Sequence, residues 1–194
     1  MGMIDFTEAC KRTSDVLAKL DDQQLSGTTP CEGLQLRDVV AHVGGLALAF
    51  TAAARKEESG EYAETPPGTG GYHLDADWRT SYPAGLVGLS QAWQAPAAWQ
   101  GMTRIAGLDL PGAVTGSVAL TEVVIHGWDI ARAAGLPYAV DPHTAEAVLA
   151  HVTQVAAEGP VEGLFGPAVP VDDDAPVLDR IVALSGRDPA WRLR

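Results

Sequence analysis

The sequence predicts an all-α fold, a four-helix bundle with a short C-terminal extension and little strand. Apolar residues recur at helical spacing along most of the chain, glycine and proline clusters punctuate the runs, and alternation of period two is confined to one short segment. Phe6, Cys10, Val16, Leu17 and Leu20 mark a first helix over residues 4–22, broken by Ser26-Gly27-Thr28-Thr29-Pro30. Leu36, Val39, Val40, Val43, Leu46, Ala47 and Phe50 carry a second over residues 36–54, with His42 on the flank of its apolar stripe. The Gly-, Pro- and acid-rich residues 57–71 read as a mobile surface loop. A third helix spans residues 75–93, with Pro83 near a boundary or kink. Met102, Arg104, Ala106, Leu108 and Leu110 alternate around Gly107, which fits one or two short strands. The fourth helix covers residues 113–134 and stops at Gly135-Leu136-Pro137. Asp141-Pro142 caps and opens a fifth helix that reaches residue 157. Residues 159–176 are again rich in Gly, Pro and Asp, and a short helix over 177–184 closes the pattern. The chain is thus expected to be one domain, residues 1–194, with residues 158–194 as its extension.

Charge narrows the function classes. A formal net charge of −12 disfavours nucleic acid and anionic membrane surfaces, both of which attract basic proteins. The longest apolar stretch, residues 39–54, contains His42 and is shorter than a bilayer span, while Asp5 and Glu8 break the pattern of a signal peptide. The expected location is the cytoplasm. Two cysteines, Cys10 and Cys31, make no disulfide framework and no zinc pair.

Thr121-Glu122-Val123-Val124-Ile125-His126-Gly127-Trp128-Asp129 carries the chemistry. A helix turns about 100° per residue, so Glu122 and His126 lie one turn apart and Asp129 falls near the Glu122 direction. The other residues of this helix are apolar nearly all round, so its charges must be paired, bound to a metal or lining a cleft. A carboxylate and an imidazole one turn apart can grip one metal ion from a single rigid element. The third ligand must come from elsewhere, and His42 is the best-placed candidate, ahead of His73, His143 and His151. The plainer readings are an i,i+4 pair stabilising the helix by ~0.2–0.5 kcal/mol and a satisfied boundary histidine. Asp129 reads as an acceptor that orients a ligand or as a partner for Arg132. Trp128 reads as core packing, and Cys31, with no base near it in sequence, as an inert thiol.

The segment Thr29-Pro30-Cys31-Glu32-Gly33 leading into Leu36-Arg37-Asp38-Val39-Val40-Ala41-His42-Val43 resembles the start of the second helix in DinB-like bundles. More narrowly, it resembles the metal-binding domain of the mycothiol-dependent maleylpyruvate isomerase family. The likeness continues through Glu122 to Gly135 and ends in Phe165-Gly166-Pro167-Ala168-Val169-Pro170-Val171 and Leu178-Asp179-Arg180. It implies a three-ligand divalent site on His42, Glu122 and His126, with Asp129 or Asp38 orienting the imidazoles. Zinc is the metal expected for two imidazoles and a carboxylate, with nickel or iron also compatible, and three protein ligands leave room for water or substrate. Leu34 stands where relatives commonly carry tryptophan, which removes any aromatic contact at that spot. The isomerase resembles this chain only in its bundle and has a separate C-terminal domain, for which the residues after Ala157 are too few. That argues against maleylpyruvate isomerisation as the specific reaction.

The resemblance thus implies a metal-dependent transferase or isomerase-like enzyme that joins a small thiol such as mycothiol to an electrophilic substrate. The alternative is a non-catalytic bundle that sequesters a metal or a small ligand. A third reading is a homodimer whose polar stripe forms salt bridges across the interface.

Overall fold

The computed structural model describes residues 3–66, 68, 71–160 and 165–193. Helix α1 (Thr7–Leu17) buries Ala9, Cys10, Thr13, Val16 and Leu17. It is shorter than its apolar pattern because Leu20 belongs to the next turn, where Asp21 accepts the Gln23 amide and opens a 3-10 turn over Asp22–Ser26. Helix α2 (Leu36–Ala54) keeps the expected bounds. Its 19 residues are long and apolar enough to cross a membrane by length and composition, yet 67% of the window is buried inside the protein, as in a core helix.

Within residues 57–66 the chain is less loose than its composition implies. Glu61–Glu64 forms the short helix α3, Ala63 is buried, and the carbonyls of Tyr62 and Ala63 accept the amides of Ala106 and Gly107. Arg104 grips Glu64 through Nε and Nη2 at 2.7 and 3.1 Å, pinning this segment to the hairpin beneath. Pro67, Thr69 and Gly70 of the expected loop, and residues 161–164 of the extension, lie outside the described residues.

Helix α4 (Trp78–Ala92) runs through Pro83 in its second turn instead of starting or ending there. The missing N–H is tolerated because Trp78, Tyr82, Leu86 and Leu89 are all buried around it. Strands β1 (Met102–Ile105) and β2 (Leu108–Pro111) pair antiparallel, with Met102 opposite Pro111 and Ile105 opposite Leu108. Helix α5 (Gly112–Ala133) ends as its sequence requires: Gly135 adopts φ +68°, its amide bonds Arg132 O, and Leu136 N–H reaches back to Ala131 O. Asp141 caps helix α6 (Pro142–Glu158) by accepting the amides of His143 and Thr144 at 3.0 Å. Helix α7 (Val177–Leu184) follows.

Helices α1, α4, α2 and α5 pack in a closed ring, each against its two neighbours, while α6 lies on the outer side of α5 and α7 on α6. This is the four-helix bundle the periodicity implies. Phe6 stacks on Trp93 at 5.7 Å between ring centres, Trp99 stands edge-on to both, and the Trp99 indole donates to the Trp93 carbonyl at 2.8 Å. Such pairs add ~0.5–1.5 kcal/mol each beyond the area they bury. With α1 and α2 on one side and α6 on the other, α5 has almost no wet face, so its polar residues are buried along with its valines and isoleucines.

Candidate metal centre

Helix periodicity brings Glu122 and His126 to the same face of α5, and the α2–α5 contact brings His42 opposite them. The Glu122 Oε2 atom lies 3.1 Å from His126 Nε2 and 3.8 Å from His42 Nε2. The two imidazoles meet edge to face with ring centres 4.8 Å apart. One donor atom from each of the three residues falls within 4.8 Å of the others, a spacing that can hold a metal ion. The trio is largely sealed: the side chains of His42, Glu122 and His126 are 16%, 6% and 10% exposed. Two imidazoles and one carboxylate are a donor set that suits zinc, and a carboxylate as buried as Glu122 needs a positively charged partner.

A second trio lies behind the first. His126 Nδ1 is 3.0 Å from Asp129 Oδ2, the Cys31 thiol donates to the same oxygen at 3.0 Å, and Arg187 Nη2 donates to it at 3.3 Å. Cys31, His126 and Asp129 also satisfy the 4.8 Å spacing. His126 therefore links the two trios, with Nε2 facing one carboxylate and Nδ1 facing another.

These contacts set the protonation states. Burial pushes the His126 imidazole toward neutrality, but the hydrogen bonds to Asp129, Cys31 and Glu122 outweigh it and hold the group well above the usual range. For Glu122, burial raises the carboxyl and the facing His126 and His42 lower it further than that, leaving it below its ordinary value. Asp129 is also lowered, burial being offset by His126 and Arg187. His42 moves the other way, because burial dominates over its contact with Glu122.

The sequence-derived trio of His42, Glu122 and His126 is thus brought together, and Asp129 stands where an orienting acceptor is expected. Its cationic partner is Arg187 and not Arg132, whose guanidinium instead lies over the Trp128 ring at 5.3 Å and donates to Pro189 O. Among the described residues Asp38 makes no hydrogen bond to His42 or His126. Its Oδ2 accepts the Gln35 amide at 2.8 Å, closing a capping box at the start of α2. His73, His143 and His151 join neither trio among the described residues. Glu122 and Asp129 of the polar stripe are buried against partners from the same chain.

Cys31, Arg187 and Tyr72 were not legible as site residues. Cys31 does have a base beside it, supplied by a helix 98 positions away. The Tyr72 ring stands edge-on to His42 at 5.4 Å. Beside it opens a cavity of about 290 Å³ whose lining includes Ala41, Gly44, Tyr62, Tyr72, Asp75 and Tyr82.

Residues 6–131 match the family model described as the mycothiol maleylpyruvate isomerase N-terminal domain. Two uncharacterized proteins of Mycobacterium tuberculosis, MT0763 and Rv0738, are each 29% identical over 187 residues, covering 89% of this chain and 90% of the relative. Among solved structures, the mycothiol-dependent maleylpyruvate isomerase shares the fold with a TM-score of 0.58 at 20% identity, over 92% of this chain and 85% of that chain. A histidine-to-alanine mutant of that enzyme matches to the same degree. A match over 92% of the chain is more than the bundle through Glu158 can supply, so the likeness of fold runs on into the extension.

Proposed function

Because the chain belongs to the family of the mycothiol maleylpyruvate isomerase N-terminal domain, we propose that it is a metal-dependent enzyme that adds a small thiol of the mycothiol kind to an electrophilic substrate, keeping it bound in a transfer or releasing it again in an isomerisation. The observation that supports this reading is the convergence of His42, Glu122 and His126, from two helices, on one small, largely buried volume. These three residues would hold one divalent cation, zinc being the ion their chemistry favours. When bound, such a cation supplies the positive charge that keeps a thiol ionised near neutral pH.

The chain's own groups have separate tasks. Glu122 and His126 offer their donors from a single rigid helix, and His42 offers its own from α2. Asp129 Oδ2 holds the proton on His126 Nδ1, so the ring presents Nε2 toward Glu122 and His42. Tyr72 covers the outer edge of His42, and the cavity next to it gives an electrophile a place to lie.

Turnover with mycothiol and a panel of electrophiles, maleylpyruvate among them, tests the reading. A rate that requires both thiol and metal and is lost in His42→Ala supports it. Tight metal binding with no turnover favours a sequestering module, and a rate indifferent to chelation overturns the metal-dependent mechanism.

A further inference from the structure

We propose that Arg187 is a positioning residue for the His42–Glu122–His126 centre, acting through Asp129, and that the turn after α7 exists to deliver it there. The inference rests on the metal reading of that centre.

Asp129 is fully buried and Arg187 is 9% exposed, so this is a buried ion pair. Burying a carboxylate costs several kcal/mol unless a charge and hydrogen bonds compensate. A histidine that ligates a metal is neutral, so it gives Asp129 a hydrogen bond and no countercharge. The guanidinium never deprotonates and, among the described residues, is the permanent cation that pairs with that carboxylate. Three donors meet on Asp129 Oδ2, from His126, Cys31 and Arg187, and this fixes the carboxylate that fixes the imidazole. Arg187 Nη2 also lies 3.6 Å from Cys31 Sγ. The guanidinium therefore occupies the Cys31–His126–Asp129 trio, and a second metal ion there would have to displace it.

The local sequence explains how an arginine from the extension gets inside. Ser185 caps α7, Gly186 adopts φ +86°, its amide bonds Ala183 O, and the Arg187 amide reaches back to Val182 O at 2.9 Å. That turn reverses the chain against Gly166 and points it back toward the bundle. Arg187 Nη1 then donates to Ser185 O at 3.0 Å, which holds the fork in place.

The test uses the full-length protein without a histidine tag. Zinc affinity is measured by competition with a chromophoric chelator, the visible spectrum of the cobalt-loaded protein is recorded, and folding is checked by circular dichroism. Arg187→Met is expected to fold, to weaken zinc binding by roughly 10–100-fold and to change the cobalt spectrum. Arg187→Lys keeps a charge without the planar fork and should fall between the two. Arg55→Met, on an exposed residue outside the site, should match wild type. In an Asp129→Asn background the Arg187→Met change should add little further loss, because both act through one contact. A folded Arg187→Met that binds zinc as tightly as wild type, with the same cobalt spectrum, overturns the inference while leaving the metal reading intact. If Arg187→Met does not fold, the lysine variant decides: weaker binding with a shifted spectrum supports the role, and values equal to wild type overturn it. Wild type that binds no zinc overturns the metal reading and this inference together.

Discussion

Alanine at Gly186 should destabilise the protein far more than alanine at Gly135, although both glycines end a helix with the same pattern of hydrogen bonds. Both have positive φ, +86° and +68°, where a side chain costs ~1–2 kcal/mol. Replacing glycine also restricts the unfolded chain, which returns ~0.4–1 kcal/mol in each case. A methyl at Gly135 would meet nothing within 4 Å, so the net loss there is about 1 kcal/mol. A methyl at Gly186 would sit 2.7, 2.8 and 2.9 Å from the Cα, C and N of Gly166. Those are backbone atoms with no rotamer to change, and forced overpacking adds ~1–3 kcal/mol. The expected totals are about 1 kcal/mol for Gly135→Ala and about 3 kcal/mol for Gly186→Ala. Urea unfolding with a slope of ~2 kcal/mol/M would show midpoints lowered by roughly 0.5 M and 1.5 M. Equal shifts would refute the close approach of Gly166 and Gly186, and with it the account of how the extension is anchored.

Chelation should lower the melting temperature of the zinc-loaded protein. At a hundredfold excess of free zinc over Kd the bound ion stabilises by ~2.7 kcal/mol, or roughly 5–11 °C for a chain of this size, whereas an unchanged midpoint would mean that no metal binds the native state. A thiol reagent should find at most one reactive cysteine in the native protein and two in denaturant, because Cys10 is buried and its thiol is pushed up to about 12 by burial and Asp5. Two native equivalents would contradict the packing of α1. Removing the α6 cap with Asp141→Ala should cost ~0.5–2 kcal/mol at pH 7. Burial raises the Asp141 carboxyl, but its bonds to Thr144 and His143 lower it more, so its contribution is present above the normal aspartate range and lost as pH falls through the lowered value. The gap between variant and wild type should therefore narrow in acid, and a gap constant from pH 7 to pH 2 would show that the charge plays no part.

Local patterns carried the fold a long way. Helix α2 and α7 match their periodicity to the residue, because their ends are fixed by a capping box and by a glycine turn that leave marks in sequence. Glu122 and His126 were legible for the same reason, one helix placing both on one face. Periodicity alone offers His42 only as the best of several histidines; the family resemblance singles it out, and helix packing sets it opposite the pair. The contacts of Cys31 and Arg187 with Asp129 leave no mark in sequence, since they span 98 and 58 positions and depend on the bundle and its extension being assembled. For residues 61–64 the composition misled in the opposite direction. Glycine, proline and acids suggest mobility, but two backbone hydrogen bonds to the hairpin and the Arg104–Glu64 pair tie that segment down.

The central claim is that His42, Glu122 and His126 together hold one divalent ion, and elemental analysis of untagged protein tests it most directly. After equilibration with zinc and gel filtration, wild type should retain one ion per chain, and His42→Ala, Glu122→Gln and His126→Ala should each lose it while remaining folded. Wild type without a stoichiometric ion, or His126→Ala with its full metal content, would contradict the account.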